Sequence, residues 1–144
     1  MQRNGTILSD VSSSCDRCAS LGGPECRALL HQAPSPLLVA LHGWLLAGRL
    51  WTPLAAALAP RWQLWTPDLP GFGQRPRPRG LQPNLASYGR WLAAAAQEQA
   101  EGRPIVLLGH SLGGSVALHA APLLGEQLVG LIQIATGGGV YQPR

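Results

Sequence analysis

The feature that most constrains the fold is a serine bracketed by glycines, Gly109-His110-Ser111-Leu112-Gly113, set between an apolar run, Pro104 to Leu108, and a helix-like segment, Leu112 to Ala121. A serine on so sharp a strand-to-helix turn is forced into the open, and glycines two residues before and after it leave room for the turn. The same turn puts Ser111 at the N-terminus of a helix, where free backbone N–H groups and the helix dipole favour a developing negative charge. The five-residue pattern alone arises by chance in roughly 5% of chains of this size. Its weight comes from the strand before it and the helix after it, which carries Val116, Leu118, Ala120 and Ala121.

The remaining segments repeat that alternation. Leu37 to Leu41 is an apolar run too short for a buried helix, ending at His42-Gly43, and reads as a fully buried parallel strand. Thr52 followed by Pro53 reads as an N-cap with proline at the first helical position. Leu54 and Leu58 then share a face, and Pro60 stops the run. A second strand over Gln63 to Thr66 enters Pro67-Asp68-Leu69-Pro70-Gly71-Phe72-Gly73, which its glycines and prolines make a loop. Asn84 caps a helix whose apolar positions Leu85, Tyr88, Leu92 and Ala95, with Trp91 beside them, recur at intervals of three and four; Gly102 ends it. A last strand, Leu128 to Ile134, precedes Gly137-Gly138-Gly139. Strands separated by helices imply an α/β fold: a parallel sheet with helices on both faces, joined by right-handed crossovers. Residues 1–34 show no sustained periodicity and read as an irregular segment ahead of an ordered domain over 35–144.

Composition narrows the function classes. A chain of 144 residues supports one core, and its 12% charged residues are few against the usual ~25%. All eleven basic residues are arginine and the net charge is +4. Only Arg75, Arg77 and Arg79 cluster, alternating with Pro76 and Pro78, which reads as a stiff solvated loop and not a nucleic-acid surface. No apolar stretch approaches the ~20 residues of a membrane span, and no secretory pattern is visible, so the expected location is cytoplasmic. Cys15, Cys18 and Cys26 with His31 give a C-x2-C-x7-C-x4-H spacing that matches no common zinc finger. They are expected to be free thiols, with no metal and no cofactor.

In such sheets functional groups sit at the carboxyl ends of the strands. A carbonyl that becomes an oxyanion needs two converging donors: one from the residue after the nucleophile, Leu112 N–H, and one from a neighbouring strand-end loop. In His42-Gly43-Trp44 the Trp44 N–H is placed to be the second, with the His42 side chain holding the loop. Asp68 precedes the nucleophile and a glycine-rich turn, and is expected to bind loop amides. Of the five tryptophans, Trp44 alone lies where a substrate would be; Trp51, Trp62, Trp65 and Trp91 are expected to be mostly core.

The motifs HGW, DLPGFG and GHSLGG, in this order and at these spacings, resemble the α/β-hydrolase superfamily over about residues 36–136, most of all small esterase-type members such as the pimeloyl carrier-protein methyl ester carboxylesterases. The resemblance implies that the strands are the third to sixth of an eight-stranded sheet. It implies Ser111 as nucleophile, Leu112 and Trp44 as oxyanion hole, and supporting loops at His42, Gly43, Gly109, His110, Gly113 and Gly114. The implied activity is serine ester hydrolysis through an acyl-serine, on a small-molecule ester or thioester. In this family the acid and histidine follow the nucleophile, yet after Ser111 only Glu126 and His119 remain. His119 lies eight residues along the same helix, roughly 12 Å up its axis; Glu126 precedes the last strand, at the wrong end of the sheet. His110 lies inside the turn motif, with an expected packing role.

The chain is therefore expected to be the N-terminal half of a hydrolase, truncated after the sixth strand and with little activity alone. The alternatives are a non-catalytic hydrolase-like remnant or binding module, or one half of a split enzyme. Val129, Leu131, Ile132 and Ile134 would then form an exposed edge strand that invites self-association or a complementing chain.

Overall fold

Every residue of Leu37–Leu41 is buried, and this run forms β1. Leu37, Val39 and Leu41 point into the main core with Ile105 and Leu107, while Leu38 and Ala40 join Val106 and Leu108 in a smaller core on the opposite face. A strand covered on both faces has no polar side, which is why its sequence does not alternate. The computed structural model describes residues 35–59 and 61–137. The expected irregular segment over 1–34, with Cys15, Cys18, Cys26 and His31, lies outside the described residues, as do Pro60 and Gly138-Gly139.

β1 is flanked by β2 (Gln63–Trp65) and β3 (Ile105–His110), and β4 (Leu128–Ile134) lies beyond β3. All the pairings are parallel, in the order β2-β1-β3-β4, with a register irregularity where Ile105 and Val106 face Leu128 and Gly130. Helix α1 (Thr52–Leu58) covers the smaller core through Leu54 and Leu58. Helices α2 (Leu85–Ala100) and α3 (Leu112–Leu124) cover the main core together. Helices thus lie on both faces, as the strand–helix alternation implies.

Local details differ from the sequence expectation. Thr52 does not cap α1: a 3-10 turn over Gly48–Trp51 leads into the helix, Trp51 takes the cap position, and the Thr52 hydroxyl donates to the Arg49 carbonyl at 2.8 Å. Asn84 does cap α2, its Oδ1 accepting from Ser87 N–H at 2.9 Å. The buried stripe of α2 is Tyr88, Leu92, Ala93, Ala96 and Ala100, whereas Leu85 is exposed and Ala95 half-buried. In α3 the inward residues are Val116, Ala117, Ala120 and Leu124, and Leu118 faces out. Small residues let α2 and α3 pack closely: a Cβ on Gly89 of α2 would press on His119 of α3. Trp65 and Trp91 pack on the main core and Trp51 on the smaller one, while Trp62 lies at the surface.

The strand order creates a crevice. From β1 the chain moves to β2 on one side, then returns past β1 to β3 on the other. The loops leaving the carboxyl ends of β1 and β3 therefore part in opposite directions, and this switch point is where open α/β sheets bind ligands. The loop after β1 holds His42-Gly43-Trp44, and the turn after β3 holds Ser111.

Candidate active site

Ser111 occupies the single residue between β3 and α3, with φ 52° and ψ −118°. This is a strained conformation for a residue with a Cβ, and it persists only where the surroundings over-determine it. Those surroundings are visible: the Ser111 N–H donates to the Ile134 carbonyl of β4 at 3.0 Å, and its own carbonyl accepts from Gly114 N–H at 3.0 Å and Ser115 N–H at 3.2 Å. Leu112, in the first turn of α3, has an N–H with no acceptor inside the helix. Leu45 (φ 56°) and Ala135 (φ 46°), just after β1 and β4, are also left-handed, so backbone strain gathers at the carboxyl edge of the sheet.

Two glycines bring the loops together. A Cβ on Gly113 would press on the carbonyl oxygens of His42 and Leu41, and one on Gly43 would lie 2.9 Å from His110 Nδ1 and 3.3 Å from Ser111 Cβ. The turn bearing Ser111 thus touches the loop bearing Trp44 through the positions that lack side chains. Gly109 backs onto Gly113 and Gly114, and Gly114 faces Gln133 and Thr136. His42, Gly43, Trp44, Gly109, His110, Ser111, Leu112, Gly113 and Gly114 are gathered at one end of the sheet.

His42 is fully buried, and both ring nitrogens are engaged. Nε2 accepts from Leu69 N–H at 2.9 Å, so the proton sits on Nδ1, which donates to the Gly43 carbonyl at 2.8 Å. In a trans peptide the carbonyl and the following N–H point in opposite directions. Holding the Gly43 carbonyl therefore sets the direction of the Trp44 N–H. Asp68 ties the same two loops together further out: Oδ1 accepts from Gly48 N–H at 2.7 Å and Oδ2 from Gln74 N–H at 2.8 Å. Burial pushes the Asp68 carboxyl up, but the Gln74 and Gly48 amides, with His42 and Arg75 nearby, outweigh it and hold the group below the usual carboxylate range. This is the amide-binding role expected of Asp68.

Phe72 is a site residue that sequence reasoning left unassigned. Its ring meets His42 edge-on at 5.8 Å and Trp44 at 5.3 Å between centroids, bracing the loop from the side. Tyr88 is a second: its hydroxyl donates to the Pro70 carbonyl at 2.6 Å, pinning the DLPGFG loop to α2. The signal for Phe72 was its place in that motif, between two glycines.

A cavity of about 700 Å³ opens beside Ser111's neighbours Leu112 and Trp44, which line it with Pro70, Phe72, Leu85, Tyr88 and others. Trp44 is 64% exposed there. His119 is exposed and its Nδ1 is bonded to the Ser115 carbonyl of its own helix at 2.9 Å. Glu126 sits in the 3-10 turn Gly125–Gln127 that precedes β4. The His110 ring packs against Gly43, and its buried Nδ1 has no hydrogen-bond partner among the described residues. Among the described residues no three His, Cys, Asp or Glu side chains gather as metal ligands.

Comparison with known proteins agrees with this geometry. A family model described as the alpha/beta hydrolase family matches residues 38–143. The chain is 40% identical over 101 residues to a pimeloyl-[acyl-carrier protein] methyl ester esterase of Aeromonas hydrophila, covering 70% of this chain and 38% of that protein. A protein of the same name from Xanthomonas oryzae pv. oryzae is 45% identical over 103 residues, covering 69% of this chain and 36% of the relative. The chain thus spans well under half the length of these curated relatives. Among solved structures, MenH from S. aureus matches with a TM-score of 0.65 and 26% identity, over 76% of this chain and 41% of that one. A thermophilic esterase from Thermogutta terrifontis matches with a TM-score of 0.62 and 28% identity, over 70% of this chain and 37% of the other.

Proposed function

Because the chain belongs to the alpha/beta hydrolase family, we propose that it carries the nucleophile and oxyanion hole of a carboxylic ester hydrolase acting through an acyl-serine intermediate. The observation that carries this reading is the backbone of Ser111, strained at φ 52° at the head of α3 and in contact with the loop that bears Trp44. Ser111 Oγ attacks the ester carbonyl carbon, and the carbonyl electron pair moves to oxygen, where the N–H groups of Leu112 and Trp44 receive it. Collapse expels the alcohol and leaves an acyl-serine, which water then hydrolyses to the acid. The names of the curated relatives, which print a methyl ester, support an ester as the bond cleaved, and the proposed substrate class is a small-molecule ester or thioester. The proposed setting is the cytoplasm; separately, no helix among the described residues is long and apolar enough to cross a membrane.

The Ser111 proton needs a base, and neither His119 nor Glu126 is placed to take it. We therefore assign the catalytic acid and histidine to residues beyond this chain, so that the chain is the N-terminal half of the hydrolase fold and has little activity alone. That neither His119 nor Glu126 stands beside Ser111 also favours a second reading, a non-catalytic remnant that keeps the turn for its geometry. A chimera joining residues 36–136 to the remaining part of the Aeromonas hydrophila relative separates the two. An active hydrolase, labelled at Ser111 by a fluorophosphonate and silenced by Ser111→Ala, is expected. A folded chimera that is neither active nor labelled contradicts the proposal, and strong labelling of the 144-residue chain alone contradicts the assignment of the base elsewhere.

A further inference from the structure

The cavity beside the proposed oxyanion donors has apolar walls, from Trp44, Leu45, Pro70, Phe72, Leu85 and Val116, and among the described residues its lining contains no acid and one cation, Arg77. The polar groups on that wall are largely spoken for. The Tyr88 hydroxyl is bound to the Pro70 carbonyl and the Asn84 side chain to Ser87 N–H. Arg77 makes no hydrogen bond or ion pair among the described residues, whereas Arg75, two positions earlier, lies over the Trp91 ring at 5.3 Å. Prolines on either side of Arg77, Pro76 and Pro78, restrict its backbone.

From these observations we infer that the cavity selects an ester whose far end carries an anion, a carboxylate or a phosphate, which Arg77 receives while the apolar stem lies along Trp44, Phe72 and Leu85. A guanidinium presents donors in a fork that matches the oxygens of either group, and a stiff backbone lowers the entropy lost in presenting it. A cavity of about 700 Å³ lies in the range that encloses a small molecule. Among the described residues no acid in the lining competes with the ligand for the charge. The inference rests on the reading of Ser111 as an ester site, because that reading puts the reacting carbonyl at Leu112 and Trp44 and so sends the rest of the molecule into this cavity.

The test measures binding without chemistry. The isotope-labelled 144-residue chain carrying Ser111→Ala is titrated with three probes: the monomethyl ester of a medium-chain dicarboxylic acid, its dimethyl ester, and a methyl ester ending in phosphate. Backbone amide signals of Trp44, Leu112 and Arg77 report the site. The monoester is expected to bind roughly tenfold or more tightly than the diester, the span of one charge-assisted contact, and Arg77→Gln is expected to remove the difference. Arg77→Lys keeps the charge without the fork and should fall between the two. The carboxylate and phosphate arms identify the preferred anion. Equal affinity for monoester and diester, a preference that survives Arg77→Gln, binding that shifts other residues, or no binding of any probe overturns the inference. Because Ser111 is absent from the measurement, failure of Ser111 as a nucleophile leaves the result standing, and loss of anion preference leaves the hydrolase reading standing.

Discussion

At the scale of single residues, side chains that never touch a substrate set the geometry of the site. His42 donates to one loop and accepts from another while fully buried. His42→Ala strands the Leu69 N–H and the Gly43 carbonyl and leaves a cavity, and is expected to cost about 2–4 kcal/mol in urea unfolding. Trp44 N–H should lose its direction at the same time, seen as a shifted and broadened amide signal. Asp68 adds a pH dependence of known sign. Its carboxyl titrates lower in the folded chain than in the unfolded one, so its contribution is complete above the ordinary carboxylate range and is lost as pH falls through the folded value. Asp68→Asn cannot accept at both positions. It is expected to destabilise the chain near neutrality by about 1–3 kcal/mol and to flatten the fall in urea midpoint on acidification; an unchanged pH slope would refute this role.

At the scale of elements, the turn from β3 to α3 depends on how closely it approaches β1. Gly113 meets the Leu41 and His42 carbonyl oxygens, so Gly113→Ala must push α3 away from β1. The expected cost is about 1–3 kcal/mol by thermal or chemical unfolding, with loss of Ser111 labelling in the chimera. The glycine pattern made the turn readable from sequence because few other arrangements tolerate it. The inward faces of α2 and α3 were less readable. Ala93, Ala96, Ala117 and Ala120 are buried where Leu85 and Leu118 are not, since close helix packing chooses small residues that hydropathy ranks low. Thr52 illustrates the same limit at a helix end: its hydroxyl fits a cap by type, but the preceding 3-10 turn moved the cap to Trp51.

At the scale of the molecule, β4 pairs only with β3 among the described residues, and Val129, Ile132 and Ile134 are exposed along it, while Leu131 packs against the main core. Such an edge templates further pairing. Sedimentation velocity is expected to show self-association that rises with concentration and is suppressed by Val129→Lys with Ile132→Lys; a monomer at all concentrations would count against it. The sequence by itself determined the α/β class, the parallel order of segments and the serine-bearing turn, because burial on both faces and sharp backbone turns restrict residue type locally. Tertiary structure alone decided that Phe72 braces His42 and Trp44, that the Tyr88 hydroxyl pins the Pro70 carbonyl, and that Arg77 stands in the cavity wall. Those facts depend on which surfaces meet across loops tens of residues apart, and no local pattern records such meetings.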